Sequence, residues 1–330
     1  MIEPGPENSI TDVVGIAVGQ AEDLGLLTGV TVVLPDRPSV AAVDVRGGGP
    51  GTRETDALAA GRLVQRIDAL VFSGGSAFGL DAAGGVMDWL RSQGRGFEVA
   101  GHHVPIVPAA ILFDLGFGGS KQWETPPWFD LGRQAAARAG GPVRMGNAGA
   151  GLGATAGALK GGTGTASIRF GDTTVGALAI ANPMGSVLMP ESRVFWAWWL
   201  EQRRELGGQT PPTHPARDLP ALGDSTSNTT LAVVATDADL TRSEAERVAV
   251  MAQNGIARAI RPVHTPFDGD AVFVLSTGSG ARPSDARALA RIGEAAADCV
   301  ARSVMRGVYE AEGLAGVAGY HDIPEGTPAP

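Results

Sequence analysis

Residues Gly207–Thr236 read GGQTPPTHPARDLPALGDSTSNTTLAVVAT. Residues 207–228 are polar, rich in Pro and Gly and without period, which predicts one long loop. The character changes abruptly at Asn228. Thr229–Thr236 is a run of Thr, Leu, Ala and Val, the pattern of a strand buried among other elements. Working outward, Thr241–Asn254 opens on TRSE, a capping-box signature that predicts a helix. Ala271–Ser276 reads as a strand and Ser284–Glu310 as a long Ala/Arg-rich helix. Upstream, strands are predicted at Ile16–Val18, Val30–Leu34, Val40–Val45, Ala69–Phe72, Ser167–Phe170 and Thr174–Ala181. Helices are predicted at Leu58–Gln65, Leu80–Ser92, Asp130–Ala139 and, in a Trp-rich segment, Val194–Glu205. Residues 104–115 read as strand or irregular core, and Asn182–Pro190 as a loop. Strands and helices alternate without a repeat, so the class is α/β or α+β.

Composition narrows the function. The 330 residues are 44% hydrophobic and 18% charged, enough for a large core. A net charge of −9 argues against a nucleic-acid footprint. No apolar run approaches the roughly 18 residues of a membrane span, and the start MIEPGPENSI lacks the features of a signal peptide, so a cytoplasmic protein is expected. The single cysteine, Cys299, excludes an internal disulfide framework and a multi-cysteine zinc site. Glycine reaches 48 residues, clustered in apolar runs that suit close backbone approach. All but two of the 26 basic residues are arginine, the exceptions being Lys121 and Lys160. Lysine, unlike arginine, can lose its proton when buried.

Familiar catalytic patterns fail one by one. Ser76 in GGSAFG lacks the second glycine of a nucleophile elbow. Gly149–Ala154 satisfies a loose dinucleotide pattern without a clean preceding strand, and a structural turn is the simpler reading. His264 in HTPFDGD has no second histidine at ligand spacing, so the Asp268–Gly269–Asp270 stretch reads as a turn or an electrostatic element rather than a metal site. The cluster Trp196, Trp198 and Trp199 reads as packing in the core or at an interface. The Asn228–Thr229 junction remains. Cleavage there would free an α-amine, of pKa near 8, beside a hydroxyl, so one residue would carry both nucleophile and base.

The chain resembles the L-aminopeptidase/D-esterase family of self-cleaving hydrolases, which includes β-peptidyl aminopeptidases and 6-aminohexanoate-oligomer (nylon) hydrolases. The resemblance is carried by SITDVVGIAVG (from Ser9), DVRGGGPGTRETD (from Asp44), ALVFSGGSAFGLDAAGGVMDWL (from Ala69) and VPIVPAAILFDL (from Val104). It continues in GNAGAGLGATAGALKGGTGTAS (from Gly146), NTTLAVVATDA (from Asn228) and IRPVHTPFDGDAVFVLSTG, which ends at Gly278.

The resemblance implies one αββα domain over residues 1–330, two sheets between helix layers, with ornithine acetyltransferase-like connectivity. It implies autocleavage between Asn228 and Thr229 into an α chain, 1–228, and a β chain, 229–330. Thr229 would be the N-terminal nucleophile, Asn182 in ANPMG the oxyanion donor, Lys160 the site lysine, and Asp268 and Asp270 the paired aspartates. Phe113 stands where several members have a tyrosine; it cannot donate a hydrogen bond, so substrate range is not transferable from them. The implied substrate is a small peptide or oligoamide, with no cofactor, no metal and a homotetrameric assembly. An acyltransferase of the ornithine acetyltransferase type and an uncleaved ligand-binding relative are the alternatives.

Overall fold

The structure is a computed structural model and describes residues 2–211 and 228–324. Most of the 207–228 loop, with His214, therefore lies outside the described residues. The Thr229–Thr236 strand explains the architecture. Its Leu231 and Val233 point to one face and Ala232 and Val234 to the other, and all four are buried. Such a strand needs an apolar partner on both sides, which is why its sequence does not alternate.

The strand lies inside a six-stranded sheet ordered Gly162–Phe170, Thr173–Asn182, Thr229–Thr236, Ala271–Ser276, Ser39–Val45 and Arg66–Ile67. Leu231 and Val233 face a second, five-stranded sheet formed by Ile16–Asp23, Thr28–Pro35, Leu70–Ser73, Ala109–Ile111 and Thr52–Arg53. They meet Val33, Leu70 and Phe72 in one apolar layer, where the Phe72 and Phe273 rings lie 5.9 Å apart across the sheets.

The α-helices among the described residues are α1 (Ala82–Ser92), α2 (Trp128–Ala137), α3 (Arg242–Ala259) and α4 (Ala286–Tyr309). Helices α1 and α2 cover the outer face of the smaller sheet through Val86, Leu90, Leu131 and Ala135. Ala232 and Val234 pack against α3 and α4 through Val248, Ala252, Val300 and Val304. The result is helix, sheet, sheet, helix. Part of the glycine excess belongs to these layers: a Cβ on Gly164 would lie 2.0 Å from the Ser303 carbonyl of α4, so only glycine lets the helix sit that close.

Two predicted helices are absent. Leu58–Gln65 is a single 3-10 turn at Thr55–Leu58 followed by irregular chain, because Gly61 adopts φ of 80° and Leu63 is exposed with nothing to pack on. Val194–Glu205 holds only a 3-10 turn at Trp198–Leu200. Arg203 and Arg204 both take positive φ there, and the Glu201 carboxylate accepts the N–H groups of Leu206, Gly208 and Gln209, fixing a loop instead.

Candidate active site

Three neighbouring strands of the larger sheet deliver the site. Thr173–Asn182 ends where Thr229–Thr236 begins, and antiparallel pairing sets Asn182 opposite Thr229. Ala271–Ser276 runs parallel to the Thr229 strand, so Asp268 and Asp270, which immediately precede it, come to the same end. Asn228 bridges Asp268 in the parallel sense. Asn182, Asn228, Thr229, Asp268 and Asp270 thus meet at one sheet end, although 88 positions of numbering separate the first from the last.

All five are buried, none more than 4% exposed. Buried polar groups need partners, and each aspartate has several. The Asp268 carboxylate accepts the Met184 N–H at 3.2 Å, the Thr265 N–H at 2.9 Å and the Thr265 hydroxyl at 2.6 Å. Asp270 accepts the Thr230 N–H at 2.7 Å on one oxygen. Its other oxygen receives the His264 N–H at 3.2 Å and lies 2.8 Å from His264 Nδ1. Burial, and secondly the nearby Asp270 charge, push the Asp268 carboxyl above the ordinary carboxylate value, against the Thr265 and Met184 hydrogen bonds.

Asn182 links the strand ends to two further segments. Its Oδ1 accepts the Thr155 N–H at 2.8 Å, and its Nδ2 donates to the Phe113 carbonyl at 3.4 Å. Phe113 is half-buried beside it. Thr155 opens the short hairpin Thr155–Ala156 and Leu159–Lys160. Lys160 is 0% exposed, and its ammonium donates to the carbonyls of Gly151 at 3.0 Å, Ala154 at 2.8 Å and Gly161 at 2.7 Å. The Gly149–Ala154 tract is thus an inward-turned cradle for a lysine.

That cradle makes Lys160 a clamp on the segment that holds Asn182. Burial lowers its pKa to about 7 from 10.5, opposed by the charge of Asp114. Below pH 7 folded and unfolded chains both carry the charge. Between pH 7 and 10.5 the folded chain sheds its proton first, so this group makes stability rise with pH. Lys160→Met lacks that response and leaves three carbonyls without their donor. Its stability deficit against wild type is expected to widen by up to about 1.4 kcal/mol per pH unit through that window. Chemical denaturation from pH 6 to 9 measures it, and a constant deficit would refute the assignment.

Two features of the site escape sequence reading. The sequence presents His264 only as a possible metal ligand, yet it is the part-exposed group that touches buried Asp270. The RGGGPG segment supplies further walls: the Gly47 and Gly49 N–H groups donate to the carbonyls of Asp270 and Asp268 at 3.2 and 2.8 Å. Among the described residues no group of three or more His, Cys, Asp or Glu could hold a metal ion, and no helix is long and apolar enough to cross a membrane.

The chain is similar to known proteins over most of its length. The profile of peptidase family S58 matches residues 8–322. An uncharacterized aminopeptidase of Mycobacterium bovis is 44% identical, over 97% of this chain and 99% of its own. A 6-aminohexanoate-oligomer endohydrolase of Paenarthrobacter ureafaciens is 29% identical, over 81% of this chain and 74% of its own. The L-aminopeptidase D-Ala-esterase/amidase of Ochrobactrum anthropi, described as a new variant among the Ntn hydrolase fold, superposes with a TM-score of 0.69 at 25% identity, over 93% of this chain and 87% of its own.

Proposed function

The chain belongs to peptidase family S58, and from that premise we propose that it is a self-processing amidohydrolase working through Thr229. The observation that carries the reading is the placing of Thr229. It is the first residue of its strand, opposite Asn182 and bridged through Asn228 to the aspartate pair. Cleavage between Asn228 and Thr229 releases the α-amine of Thr229 without separating domains, because the new terminus stays inside the sheet. The fragments are residues 1–228 and 229–330.

In turnover the Thr229 hydroxyl attacks the carbonyl of a substrate amide or ester, and the Thr229 amine takes the proton and passes it to the leaving amine. Asn182 offers a neutral amide donor to the oxyanion, and the acyl-enzyme on Thr229 is hydrolysed by water. Asp268 and Asp270 orient the Thr229 ammonium and suit substrates that carry a free amine. Phe113, whose carbonyl faces Asn182, lines the substrate side. The substrates are short peptides or oligoamides and the assembly is a homotetramer, which light scattering on the eluting protein checks.

Denaturing electrophoresis of the purified full-length chain is expected to give two bands. Intact-mass and N-terminal analysis should find one fragment starting Thr229–Thr230–Leu231. A single uncut chain that still hydrolyses p-nitroanilide, β-alanyl or 6-aminohexanoate substrates would overturn the proposal.

A further inference from the structure

With the Asn228–Thr229 bond intact, the carbonyl to be cut already has two donors. The Gly269 N–H donates to the Asn228 oxygen at 2.9 Å, and the Thr229 hydroxyl donates to the same atom. Asn182 does not reach it. Its Nδ2 is turned to the Phe113 carbonyl and its Oδ1 holds the Thr155 N–H. Asn228 is itself fixed, its N–H on the Phe267 carbonyl at 3.1 Å and its Nδ2 on the Asn182 carbonyl at 3.2 Å. A Cβ at position 269 would lie 2.6 Å from Thr229 Oγ1 and 3.0 Å from the Gly49 carbonyl oxygen, so a side chain there would displace the nucleophile. The residue between the aspartates thus supplies an N–H to the carbonyl, and being glycine it leaves room for the nucleophile.

We propose that the Gly269 backbone N–H is the oxyanion donor of the self-cleavage step, and that Asn182 stabilises an oxyanion only in later substrate turnover. The inference rests on the self-processing reading and divides the two reactions between two donors. In self-cleavage the Thr229 Oγ–C bond to Asn228 forms, the C–N bond breaks, and the hydroxyl proton ends on the freed nitrogen. Charge gathering on the Asn228 oxygen starts with a donor already aimed at it, 2.9 Å away in the uncut chain, where the oxyanion itself calls for a donor at roughly 2.7–3.1 Å. Water then adds to the ester carbon and Oγ leaves carrying a proton. The new Asn228 carboxyl gives its own proton to the Thr229 amine, so a carboxylate and an ammonium remain.

The test compares full-length wild type, G269P, G269A and N182D, following loss of the uncut chain by gel and intact mass. G269P removes the N–H and is expected to slow cleavage at least about 100-fold; G269A keeps the N–H and adds only a methyl near the hydroxyl, so it separates crowding from loss of the donor. N182D keeps the oxygen that Thr155 needs and removes the donor, so it is expected to self-cleave at a rate close to wild type while losing substrate turnover. Melting temperatures taken in a Thr229→Ala background, where every chain stays whole, separate misfolding from chemistry. If both Gly269 variants melt early, N182D decides alone, and its cleavage supports the division. N182D held uncut at the wild-type melting temperature overturns it, as does wild-type-rate cleavage of G269P. A wild-type chain that is never cut refutes self-processing itself, so the two failures read differently.

Discussion

Thr229→Ala is expected to remain one uncut chain and to lose turnover by at least about 10⁴-fold, the scale on which removal of a covalent nucleophile acts. The loss should be this complete because the nearby hydroxyls and the thiol are committed or turned elsewhere: the Thr265 hydroxyl in the site is given to Asp268 at 2.6 Å. Cys299 is 0% exposed within α4, its thiol donates to the Val175 carbonyl at 3.4 Å, and burial raises its pKa to about 12. A thiol so placed is inert. Ser303 gives its hydroxyl to the Cys299 carbonyl one helical turn back at 2.7 Å. Thr230, next in sequence, is 0% exposed and points to the opposite face of the strand from Thr229. Thr229→Ser keeps the oxygen and is expected to restore both cleavage and turnover in part. The folded state should change little, since only the Thr229 side chain is altered and its strand pairing is backbone. Gel, intact mass and an amide-hydrolysis assay on the three proteins decide the matter, and turnover by purified Thr229→Ala would sink the N-terminal-nucleophile mechanism.

How much of this fold is legible in the sequence depends on how local each determinant is. The strands Thr229–Thr236 and Ala271–Ser276 match expectation residue for residue, because burial on both faces demands an apolar run and loops cut it sharply at each end. The capping box at Thr241 forms as its residues dictate, Thr241 to Glu244, within one turn. The failures are equally local in origin. Leu58–Gln65 has helical composition but no face to bury, and the Trp segment has apolar weight but is bent by the Glu201 carboxylate, which takes the N–H groups of Leu206, Gly208 and Gln209. For the site, periodicity marks Thr229 only as a junction, and Asn182, Lys160 and the aspartates come from resemblance. The His264–Asp270 contact depends on His264 taking φ of 53°, and Gly269's approach to Asn228 depends on parallel pairing across 41 positions of numbering. No composition or spacing announces either.

The same limit hides a deeply buried ion pair. Arg302, 0% exposed on α4, reaches 97 residues back to Glu205, donating at 2.6 Å to one oxygen and 2.8 Å to the other. It also donates to the Ser167 carbonyl and to Asn8 Oδ1, both at 2.8 Å. The N-terminal segment, the first strand of the larger sheet and the Trp segment are thereby fastened to one helix. Arg302→Ala strips Glu205 of its bidentate partner and leaves it Arg306, 3.5 Å away, with Asn8 and the Gln202 N–H, and no cation within hydrogen-bond distance. Because a buried charge without its partner is penalised heavily, the variant is expected to lose about 3–5 kcal/mol of stability. Replacing both Arg302 and Glu205 by leucine removes charge and desolvation together and should recover most of it. Burial alone would raise the Glu205 carboxyl, but the hydrogen bonds and charge of Arg302, then Arg306 and Asn8, hold it below its ordinary value of 4.5. The folded chain thus releases this proton more readily than the unfolded one, so the stabilisation is full above that value and fades as pH falls further. The deficit of Arg302→Ala should therefore shrink as pH falls below 4.5. Denaturant unfolding at several pH values measures both effects. A deficit under about 1 kcal/mol at neutral pH, the worth of an exposed pair, would show that this network does not hold the layers together.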